Sequence, residues 1–311
     1  MKSIDGMAAV EKIEYGGWKN CYRVSNDSVE IIVTGDVGPR ILRYGFIGRQ
    51  NLFKEFQDQI GKTGESHFKA RGGHRLWRAP EDLASTWVPD NVSVEISVKP
   101  SGVAALAPVE RMSGLRKEIE VELAPSGSEV IAVHRIRNCS EKPLTFAPWA
   151  LTMMAPGGVA VAGFPPRAAY PGKLDPTNPL VMWAYTDLSD KRLTLTRKYL
   201  VLRQDMNNPS PQKLGLFNED TWACYLLNGD LFVKRAQSNP SEAYPDLGCS
   251  FEMFTNNEFL ELETLGPLRG VLPGESVEHT ERWNLHRNVN LSGFTDDAID
   301  SSILPLIGGG K

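Results

Sequence analysis

Apolar residues along this chain occur mostly in short runs, and clusters of glycine, proline, asparagine and aspartate separate these runs. Many of the runs alternate apolar and polar residues, which is typical of strands, whereas the helical period of 3.6 residues is nearly absent. The pattern predicts strands at Val29–Thr34, Ile41–Phe46, Val92–Val98, Lys117–Leu123, Val130–Arg137, Leu144–Met154, Arg192–Thr196, Tyr199–Arg203, Trp222–Leu227, Leu231–Lys234, Ser250–Phe254, Phe259–Thr264 and Val277–Leu285. So many strands with almost no helix predict an all-β protein of packed antiparallel sheets.

The length of the chain leaves the number of domains open. With 311 residues it suits one large β domain or two ordinary ones. The longest irregular segment, PPRAAYPGKLDPTNP (Pro165–Pro179), fits either a domain linker or a functional loop on a rigid scaffold. We expect a single domain over residues 1–311, with a frayed tail from about residue 300 to 311.

Charge and composition narrow the classes of partner. The formal net charge of −4 predicts no electrostatic attraction to nucleic acid or to an anionic membrane. No apolar run resembles a signal peptide or is long enough to span a membrane, so the expected location is the cytoplasm. The 4 cysteines have no CxxC spacing, which favours free thiols over disulfides or a zinc site.

A first candidate site is the segment FKARGGHRLWRAPED, residues 68–82. It places Arg71, His74, Arg75, Trp77 and Arg78 close together, next to a pair of glycines. Glycine allows a sharp turn or the close approach of a ligand, arginine offers a fork of donors, and an indole suits the apolar face of a sugar ring. The simpler alternative is a surface turn with solvated arginines and a structural tryptophan.

A second candidate is the strand FLELET (Phe259–Thr264). Strand alternation puts Glu261 and Glu263 on one face, roughly 7 Å apart, with the leucines on the other. Two carboxylates on such a strand are costly unless they are paired or used, and their repulsion raises the pKa of at least one. That arrangement suits a general acid or base. An ordinary solvent-facing strand is the alternative.

A third candidate is YPDLGCSFEMF (Tyr244–Phe254), in which Asp246 is either a ligand- or metal-binding residue or, more simply, a turn-forming aspartate.

The 5 histidines show no HxH, HExxH or helical metal-ligand spacing, so no metal is expected. The chain also has no G-x-S-x-G elbow, no phosphate-binding Walker loop and no G-x-G-x-x-G after a strand. These absences disfavour a serine hydrolase, an NTPase and a dinucleotide-dependent enzyme.

Several motifs resemble the galactose mutarotase (aldose 1-epimerase) superfamily. The C-terminal stretch FLELETLGPLRGVLPGESVEHTERWNL resembles the family's last strands, and Glu263 falls on its general-base glutamate. The segment GPRILRYGFIGRQNLF, which contains Arg40, resembles the family's opening, and ARGGHRLWRAP puts Arg71 on the active-site arginine of the hexose-6-phosphate epimerase branch. The strings GGHRLW, YPDLGCSFE, LELETLGPL and PGE are most similar to a bacterial family of this superfamily without an assigned function. The resemblance covers most of the chain in order and implies a β-supersandwich.

One departure from the family concerns its acid histidine. The corresponding stretch, LTFAPWALTMMAPGG (Leu144–Gly158), contains Trp149 but no histidine. His74 is the expected substitute acid, and otherwise the acid is to be sought among Lys213, Lys234, Tyr244 or a nearby carboxyl group.

Two hypotheses of different class follow. In a sugar epimerase, Glu263 removes the proton of the anomeric hydroxyl and His74 protonates the ring oxygen, with no cofactor. In a carbohydrate-binding protein the same cleft holds a saccharide without turnover, and lyase or hydrolase chemistry is a third possibility on the same scaffold. The expected partner is a small carbohydrate, and the expected ligand-binding residues are Arg40, Arg71, Arg75, Trp77, Trp149, Asp246 and Glu261.

Overall fold

The computed structural model describes residues 7–308, and strands dominate that range. The strands are β1 (Ala9–Tyr15), β2 (Trp18–Ser25), β3 (Val29–Thr34), β4 (Arg40–Phe46), β5 (His74–Ala79), β6 (Glu95–Lys99), β7 (Gly102–Leu106), β8 (Leu115–Leu123), β9 (Val130–Asn138), β10 (Leu144–Met154), β11 (Val159–Gly163), β12 (Leu180–Met182), β13 (Leu193–Leu195), β14 (Tyr199–Arg203), β15 (Gln212–Leu216), β16 (Asp220–Leu227), β17 (Asp230–Gln237), β18 (Phe251–Thr255), β19 (Leu260–Leu265), β20 (Arg269–Val271) and β21 (Ser276–His286). One α-helix, α1 (Asp296–Ser302), and a 3-10 turn (Leu304–Leu306) follow them. The prediction of an all-β fold is confirmed.

The strands form two large antiparallel sheets. The larger sheet has the order β1-β2-β3-β4-β5-β10-β19-β18-β15-β12, with β20 paired to β10 as its eleventh strand. The smaller sheet has ten strands in the order β13-β14-β11-β16-β17-β21-β9-β8-β7-β6. Because consecutive strands such as β9 and β10 lie in different sheets, the chain passes repeatedly between the two.

Side-chain alternation explains how the sheets pack. Strand β9 alternates fully buried residues with more exposed ones, since one face packs against the larger sheet and the other faces outward. Strand β19 is instead buried at all of its residues. Its residues Leu260 and Leu262 belong to the core between the sheets, so Glu261 and Glu263 lie on the opposite face.

Aromatic rings from both sheets meet in that core. Trp283 of β21 lies with its ring centroid 5.9 Å from those of Tyr44 and Phe53, and 5.8 Å from that of Phe232. Aromatic pairs at such spacings contribute about 0.5–1.5 kcal/mol each beyond the area that they bury. The rings therefore tie the larger sheet to the smaller one.

A set of buried polar side chains also lies between the sheets, and we call it the inter-sheet polar network. Its members are Thr152, Thr264, His74, His134, His279, Lys234 and Glu281. Lys234 Nζ is 2.9 Å from Glu281 and donates to the carbonyl oxygens of Ala150 at 3.2 Å and Leu262 at 3.0 Å. Burial raises the pKa of Glu281, but Lys234 together with His134 and His279 outweighs this effect and holds the pKa below its usual value. The lysine therefore links an ionised carboxylate of the smaller sheet to the backbone of the larger one.

The hydrogen bonds assign a neutral tautomer to two of the histidines. His134 Nδ1 lies 2.9 Å from the carbonyl oxygen of His279, which only accepts, so Nδ1 carries the proton. His134 Nε2 then accepts from His74 Nε2–H at 2.6 Å, and His74 Nδ1 accepts from the Thr152 hydroxyl at 2.8 Å. A second proton on His134 would set two N–H groups against each other.

The C-terminal segment differs from the frayed tail that the sequence predicts from about residue 300. Ile299, Ile303 and Ile307 are buried against outer side chains of the smaller sheet, and the Thr295 side chain caps α1 by accepting from the Ala298 N–H. Apolar burial at this spacing orders the segment, while residues 309–311 lie outside the described range. Within residues 7–308, no helix has the length and apolar character needed to cross a membrane.

That the chain is one domain stays a prediction. Because both sheets contribute to a shared core, we expect a single cooperative thermal transition that is the same by near-UV and far-UV circular dichroism. Two separated transitions would indicate two units.

We also predict that stability falls as the pH drops below about 6.5. Burial lowers the pKa of His74 and His134, and that of His279 to about 3, whereas a histidine of the unfolded chain titrates near 6.5. Below about pH 6.5 the unfolded state therefore binds more protons, and each histidine removes up to about 1.4 kcal/mol of stability per pH unit. Urea unfolding across this range measures the slope.

Matched variants test the source of this pH dependence. His279→Gln should reduce the slope, while the same change at the exposed His67 should leave it unaltered. Identical slopes in the parent and both variants would contradict the assignment to buried histidines.

Candidate functional site

A cleft lies on the face of the larger sheet that points away from the smaller one. Strands β5, β10, β19, β18 and β15 are consecutive neighbours there. Register places Trp77 beside Trp149, Arg75 beside Leu151, and Leu151 beside Glu263. Because side chains alternate along each strand, these residues share one face and form the floor of the cleft.

Aromatic rings extend from one part of this floor to the rim of the cleft. The Trp77 ring centroid lies 5.6 Å from that of Trp149 and 5.2 Å from those of Phe68 and Trp87. Trp87 and Tyr185, at the rim, are 40% and 43% exposed, which leaves part of each side chain accessible to a ligand. Flat apolar faces with polar edges suit the apolar side of a sugar ring.

The cleft encloses a cavity of about 330 Å³. Its lining consists of Phe68, Ala70, Arg75, Trp77, Glu81, Trp87, Trp149, Leu151, Met153, Tyr185, Lys213, Phe254, Asn256, Phe259, Glu261 and Glu263. Hollows of about 730 and 800 Å³ lie elsewhere, but no tryptophan is found among the described residues that line them. Aromatic faces and buried charges therefore come together in the 330 Å³ cavity of the cleft.

One buried ion pair in the cleft joins Arg75 to Glu261. Arg75 Nη1 donates to Glu261 Oε1 at 2.7 Å, and the guanidinium carbon lies 4.4 Å from the Trp77 ring centroid. Both residues are more than 90% buried, with exposures of 3% and 6%. Burial raises the pKa of Glu261, and the guanidinium offsets only part of that effect.

A second ionic contact involves Lys213 and two glutamates. Lys213 Nζ is 3.0 Å from Glu263 Oε2 and 2.7 Å from Glu252 Oε2, and it lies 4.7 Å from the Trp149 ring centroid. Trp149 Nε1 also donates to Glu263 Oε2, at 3.0 Å. Burial lowers the pKa of Lys213, but its contacts with Glu263 and Glu252, of which Glu263 has the larger effect, outweigh this and raise the pKa well above its usual value. Lys213 is therefore an ammonium at neutral pH.

Several predicted site residues meet in the cleft. Arg75, Trp77, Trp149, Glu261 and Glu263 all line the cavity, although long stretches of chain separate them. The 2.7 Å bond from Arg75 to Glu261 joins the first candidate segment, residues 68–82, to the FLELET strand. Their roles toward a ligand remain proposals.

His74 does not lie in the cleft, where its predicted role as the substitute acid would require it. It is next to Arg75 on β5, so alternation turns its side chain toward the smaller sheet, where it bonds to His134 and Thr152. It is fully buried there. Its role as the substitute acid toward a ligand in the cleft is therefore not supported by its position.

Arg71 also lies outside the cleft, contrary to the prediction. It is 1% exposed, and its guanidinium contacts the Gln59 carbonyl at 2.9 Å, Asn91 Oδ1 at 2.9 Å and Glu65 at 2.5 Å. These contacts use the arginine fork to hold the loop that precedes β5. A role in binding a sugar phosphate is not available to a guanidinium whose partners are already in the protein.

Arg40 serves a similar structural purpose, which corrects its predicted role in ligand binding. Its guanidinium donates to the carbonyl oxygens of Ala70 and Gly72 at 2.8 and 2.7 Å, and to Asp90 at 2.6 Å. It is fully buried among these partners.

The two glycines before His74 accommodate neighbouring backbone and not a ligand. A Cβ on Gly72 would lie 1.9 Å from the Lys54 carbonyl oxygen, and one on Gly73 would lie 2.2 Å from that of Ile41. Both glycines also have positive φ angles, of 89° and 71°.

Asp246 is a turn residue, as its simpler interpretation predicts. It has a positive φ of 52° and does not line the cavity, so it is not among the residues that could touch a ligand there.

Of the alternative acids, Lys234 lies in the inter-sheet polar network and Tyr244 packs on Phe217 with ring centroids 5.2 Å apart. Lys213 alone of the three lysine and tyrosine alternatives lines the cavity.

The sequence pattern does not identify Tyr185, Trp87 and Phe68 as cavity residues. It gives Lys213 only as one of several alternatives for the acid. Burial raises the pKa of Tyr185 to about 12, so it keeps its hydroxyl proton at neutral pH. Trp87 and Tyr185 lie in irregular segments, where no periodic pattern indicates which face a side chain takes. Their one available signal is an aromatic residue within a polar loop.

One group of side chains in the described residues offers metal-ligand atoms close together. Single atoms of His74, His134 and Glu281 lie within 4.8 Å of one another. The two histidine nitrogens are 2.6 Å apart, closer than two ligands on a zinc ion with Zn–N bonds of about 2.0–2.1 Å, and the Lys234 ammonium lies 2.9 Å from Glu281. Hydrogen bonds and an ion pair account for this cluster.

Comparison with known proteins identifies the fold. No protein-family model matches the chain, and no relative is found among curated proteins. Among solved structures, the Slr1438 protein of Synechocystis sp. PCC 6803 has 12% identity and a TM-score of 0.58, covering 89% of this chain and 99% of its own. A galactose mutarotase-like protein of Lactobacillus casei has 9% identity and a TM-score of 0.54, covering 86% of this chain and 100% of its own. A galactose mutarotase related enzyme of Lactobacillus acidophilus has 9% identity and a TM-score of 0.51, covering 86% and 98%.

These likenesses establish the fold alone, because the identities are so low. The chain has the galactose mutarotase-like fold, and the β-supersandwich that the sequence resemblance implies is confirmed.

The buried ion pair of the cleft generates a stability prediction. Glu261→Leu leaves the buried Arg75 guanidinium without its counter-charge, so we expect the free energy of unfolding to fall by about 3–5 kcal/mol in urea titrations. The matched control is Glu242→Leu, which breaks an ion pair with Arg269, a residue whose side chain is 49% exposed. The control should cost about 1 kcal/mol or less. Equal losses in the two variants would contradict the importance of the buried pair.

Proposed function

We propose, from the galactose mutarotase-like fold and the charged cleft, that this protein is a cofactor-independent sugar epimerase in which Glu263 is the general base. The observation that carries the proposal is the arrangement of Glu263 itself. Two donors, Lys213 Nζ and Trp149 Nε1, both contact Oε2 at 3.0 Å. Both of these bonds end on Oε2, so Oε1 of this cavity-lining residue has no hydrogen-bond partner among residues 7–308. One oxygen thus holds the carboxylate in position while the other is available to a substrate proton.

The remaining predicted cleft residues would bind the sugar. Trp77 and Trp149 offer aromatic faces to the apolar side of the ring, and the Arg75–Glu261 pair offers a donor fork and a carboxylate to its hydroxyl groups. Fixed partners on each of these groups limit their motion, which favours a preorganised site.

The charges of the cavity favour an unphosphorylated aldose over a sugar phosphate. Arg75 and Lys213 are its cationic residues, and each already contacts a carboxylate. Glu81 adds a further acidic group at the rim. A phosphate group would have to displace these partners and would meet net negative charge.

Binding without turnover is the second candidate function. It is favoured by one observation, the absence of histidine from the described residues that line the cavity. His74, expected to supply the acid, faces the other sheet. A binding protein would keep the tryptophan rings and the Arg75–Glu261 pair but would leave the anomeric equilibrium uncatalysed.

The experiment begins with a saturation-transfer NMR screen of free aldoses, uronic acids and sugar phosphates, followed by exchange NMR or polarimetry on the sugar that binds. Glu263→Gln keeps the shape of the side chain and removes its basicity. We expect turnover to fall by about 10²–10⁴-fold with ligand affinity changed only several-fold.

Glu242→Gln, which alters a carboxylate of an exposed ion pair outside the cavity, is the matched control and should keep full turnover. Sugar binding without any anomeric catalysis by the unmodified protein would establish the binding function. Full turnover by Glu263→Gln would remove this residue from the base role.

A further inference from the structure

Glu252, Lys213 and Glu263 form a compact group beneath the cleft, which we call the glutamate–lysine triad. Glu252 and Glu263 lie directly opposite each other on β18 and β19, and Lys213 Nζ bridges them at 2.7 and 3.0 Å. The side chains of Glu252, Lys213 and Glu263 are only 0%, 5% and 1% exposed. Lys213 and Glu263 line the cavity, whereas Glu252 lies behind them.

The triad has one cation and two carboxylates, and their side chains are almost inaccessible to solvent. Two ionised carboxylates would leave a net negative charge buried, which is costly because no solvent stabilises it. One carboxyl group therefore keeps its proton, and the surroundings decide which one. Glu263 accepts hydrogen bonds from Lys213 and Trp149, and such donors stabilise the ionised form.

Glu252 has the opposite surroundings. Although Lys213 Nζ is close, neither oxygen of Glu252 has a hydrogen-bond partner in good geometry among the described residues. Burial raises its pKa well above the usual range, Lys213 offsets only part of this, and the nearby Glu263 and Asp246 raise it further. Glu252 is thus the carboxyl group that carries the proton.

The backbone keeps space for this buried acid. Gly215 of β15 lies opposite Glu252, and a Cβ at this glycine would lie 3.3 Å from Glu252 Cγ, 2.4 Å from Cys249 Sγ and 3.2 Å from the Trp183 ring. Any larger residue at position 215 would therefore displace Cys249 Sγ and crowd the Glu252 side chain.

We infer that Lys213 is the general acid that stands in for the absent histidine, and that Glu252 is a positioning residue that supplies the proton Lys213 gives up. The inference rests on the proposed epimerase function. The ring oxygen and the anomeric oxygen of an aldose are bonded to the same carbon. Lys213 and Glu263 are joined by a hydrogen bond of 3.0 Å. This donor and this acceptor are therefore close enough to contact the two neighbouring oxygens of one sugar.

The proton transfers balance within the triad. Glu263 takes the proton of the anomeric hydroxyl, the anomeric carbon–oxygen bond becomes a carbonyl, and the bond to the ring oxygen breaks with its electron pair on that oxygen. Lys213 protonates the ring oxygen, and Glu252 returns a proton to Lys213. After rotation of the open-chain aldehyde, Lys213 first returns its extra proton to Glu252 and then takes the proton of the ring hydroxyl. Glu263 gives its proton back to the carbonyl oxygen, so the other anomer forms, the triad regains its starting protons and no co-reactant is consumed.

A neutral Glu252 also makes Lys213 a better acid. With only Glu263 ionised, the ammonium has one counter-charge instead of two, so it releases its proton more readily. Once Lys213 has given up its proton, Glu252 and Glu263 hold the protons of the triad, and transfer from Glu252 restores the ammonium.

The first test measures the protonation of Glu252 without any substrate. Infrared difference spectra at neutral pH should show a protonated-carboxyl band that is lost in Glu252→Gln and kept in Glu261→Gln, a matched change of another buried carboxylate on the same face. The inference would be overturned if the unmodified protein shows no such band. It would also be overturned if the band is lost in Glu261→Gln and kept in Glu252→Gln.

The second test uses turnover of the sugar found by the NMR screen. Glu252→Gln preserves the shape and neutral charge but cannot release a proton, so we expect kcat to fall about tenfold or more with KM changed little. Glu252→Asp keeps the carboxyl group and should recover part of the loss, whereas Lys213→Gln should lose about 10²–10⁴-fold. Full kcat in either glutamine variant would overturn the role of the residue changed.

The outcomes separate this inference from the proposed function. A protein that binds sugar without anomeric catalysis refutes the epimerase and the acid role of Lys213 together, while the infrared band still decides whether Glu252 is neutral. Catalysis that depends on Glu263 but not on Glu252 keeps the epimerase and refutes the proton supply. If Glu252→Gln does not fold, two other results test the role of Glu252. These are the protonated-carboxyl band of the unmodified protein and the turnover rate of Glu252→Asp.

Discussion

Charged side chains that are buried on the central strands of the larger sheet need partners, and this need organises the rest of the site. Glu261 and Glu263 lie on the cleft face of β19, where water is scarce. An unpaired charge there would cost several kcal/mol, so each carboxylate meets a cation from another strand. Arg75 comes from β5 on one side and Lys213 from β15 on the other. The cleft is thus held together by the same contacts that would bind a ligand.

The two faces of the sheet carry separate charge systems. The glutamate–lysine triad lies toward the cleft, and the inter-sheet polar network lies on the opposite side. His74 and Arg75 are neighbours in the chain but belong to different systems, because successive side chains of a strand point to opposite faces. A register shift of one residue in β5 would exchange them and disrupt both.

The two systems also differ in how completely their hydrogen bonds are made. In the inter-sheet polar network, the histidines and Glu281 all have partners, which suits a structural role between the sheets. In the triad, Glu263 retains an oxygen without a partner and Glu252 has no well-placed donor. Incomplete pairing of this kind is typical of sites that use their charges, and it supports the functional proposal for the cleft over the other cluster.

The sequence by itself determined the class of fold and part of the site. Alternating apolar positions determine strands locally, and in FLELET the period of two places Glu261 and Glu263 on one face wherever the strand lies. These conclusions depend only on neighbours in the chain, so a single sequence contains the information.

The tertiary structure alone decided which strands lie next to each other. Arg71 and Arg75 have the same side chain and similar local sequence, yet Arg71 meets Glu65 and Arg75 meets Glu261, which is 186 positions away. Lys213 and Glu252 become part of the site because β15, β18 and β19 are adjacent in the sheet, an order that local periodicity does not specify. Long-range strand pairing depends on packing of the whole core, and a charged residue in a pattern fits a structural pair as well as a functional one until its partner is known.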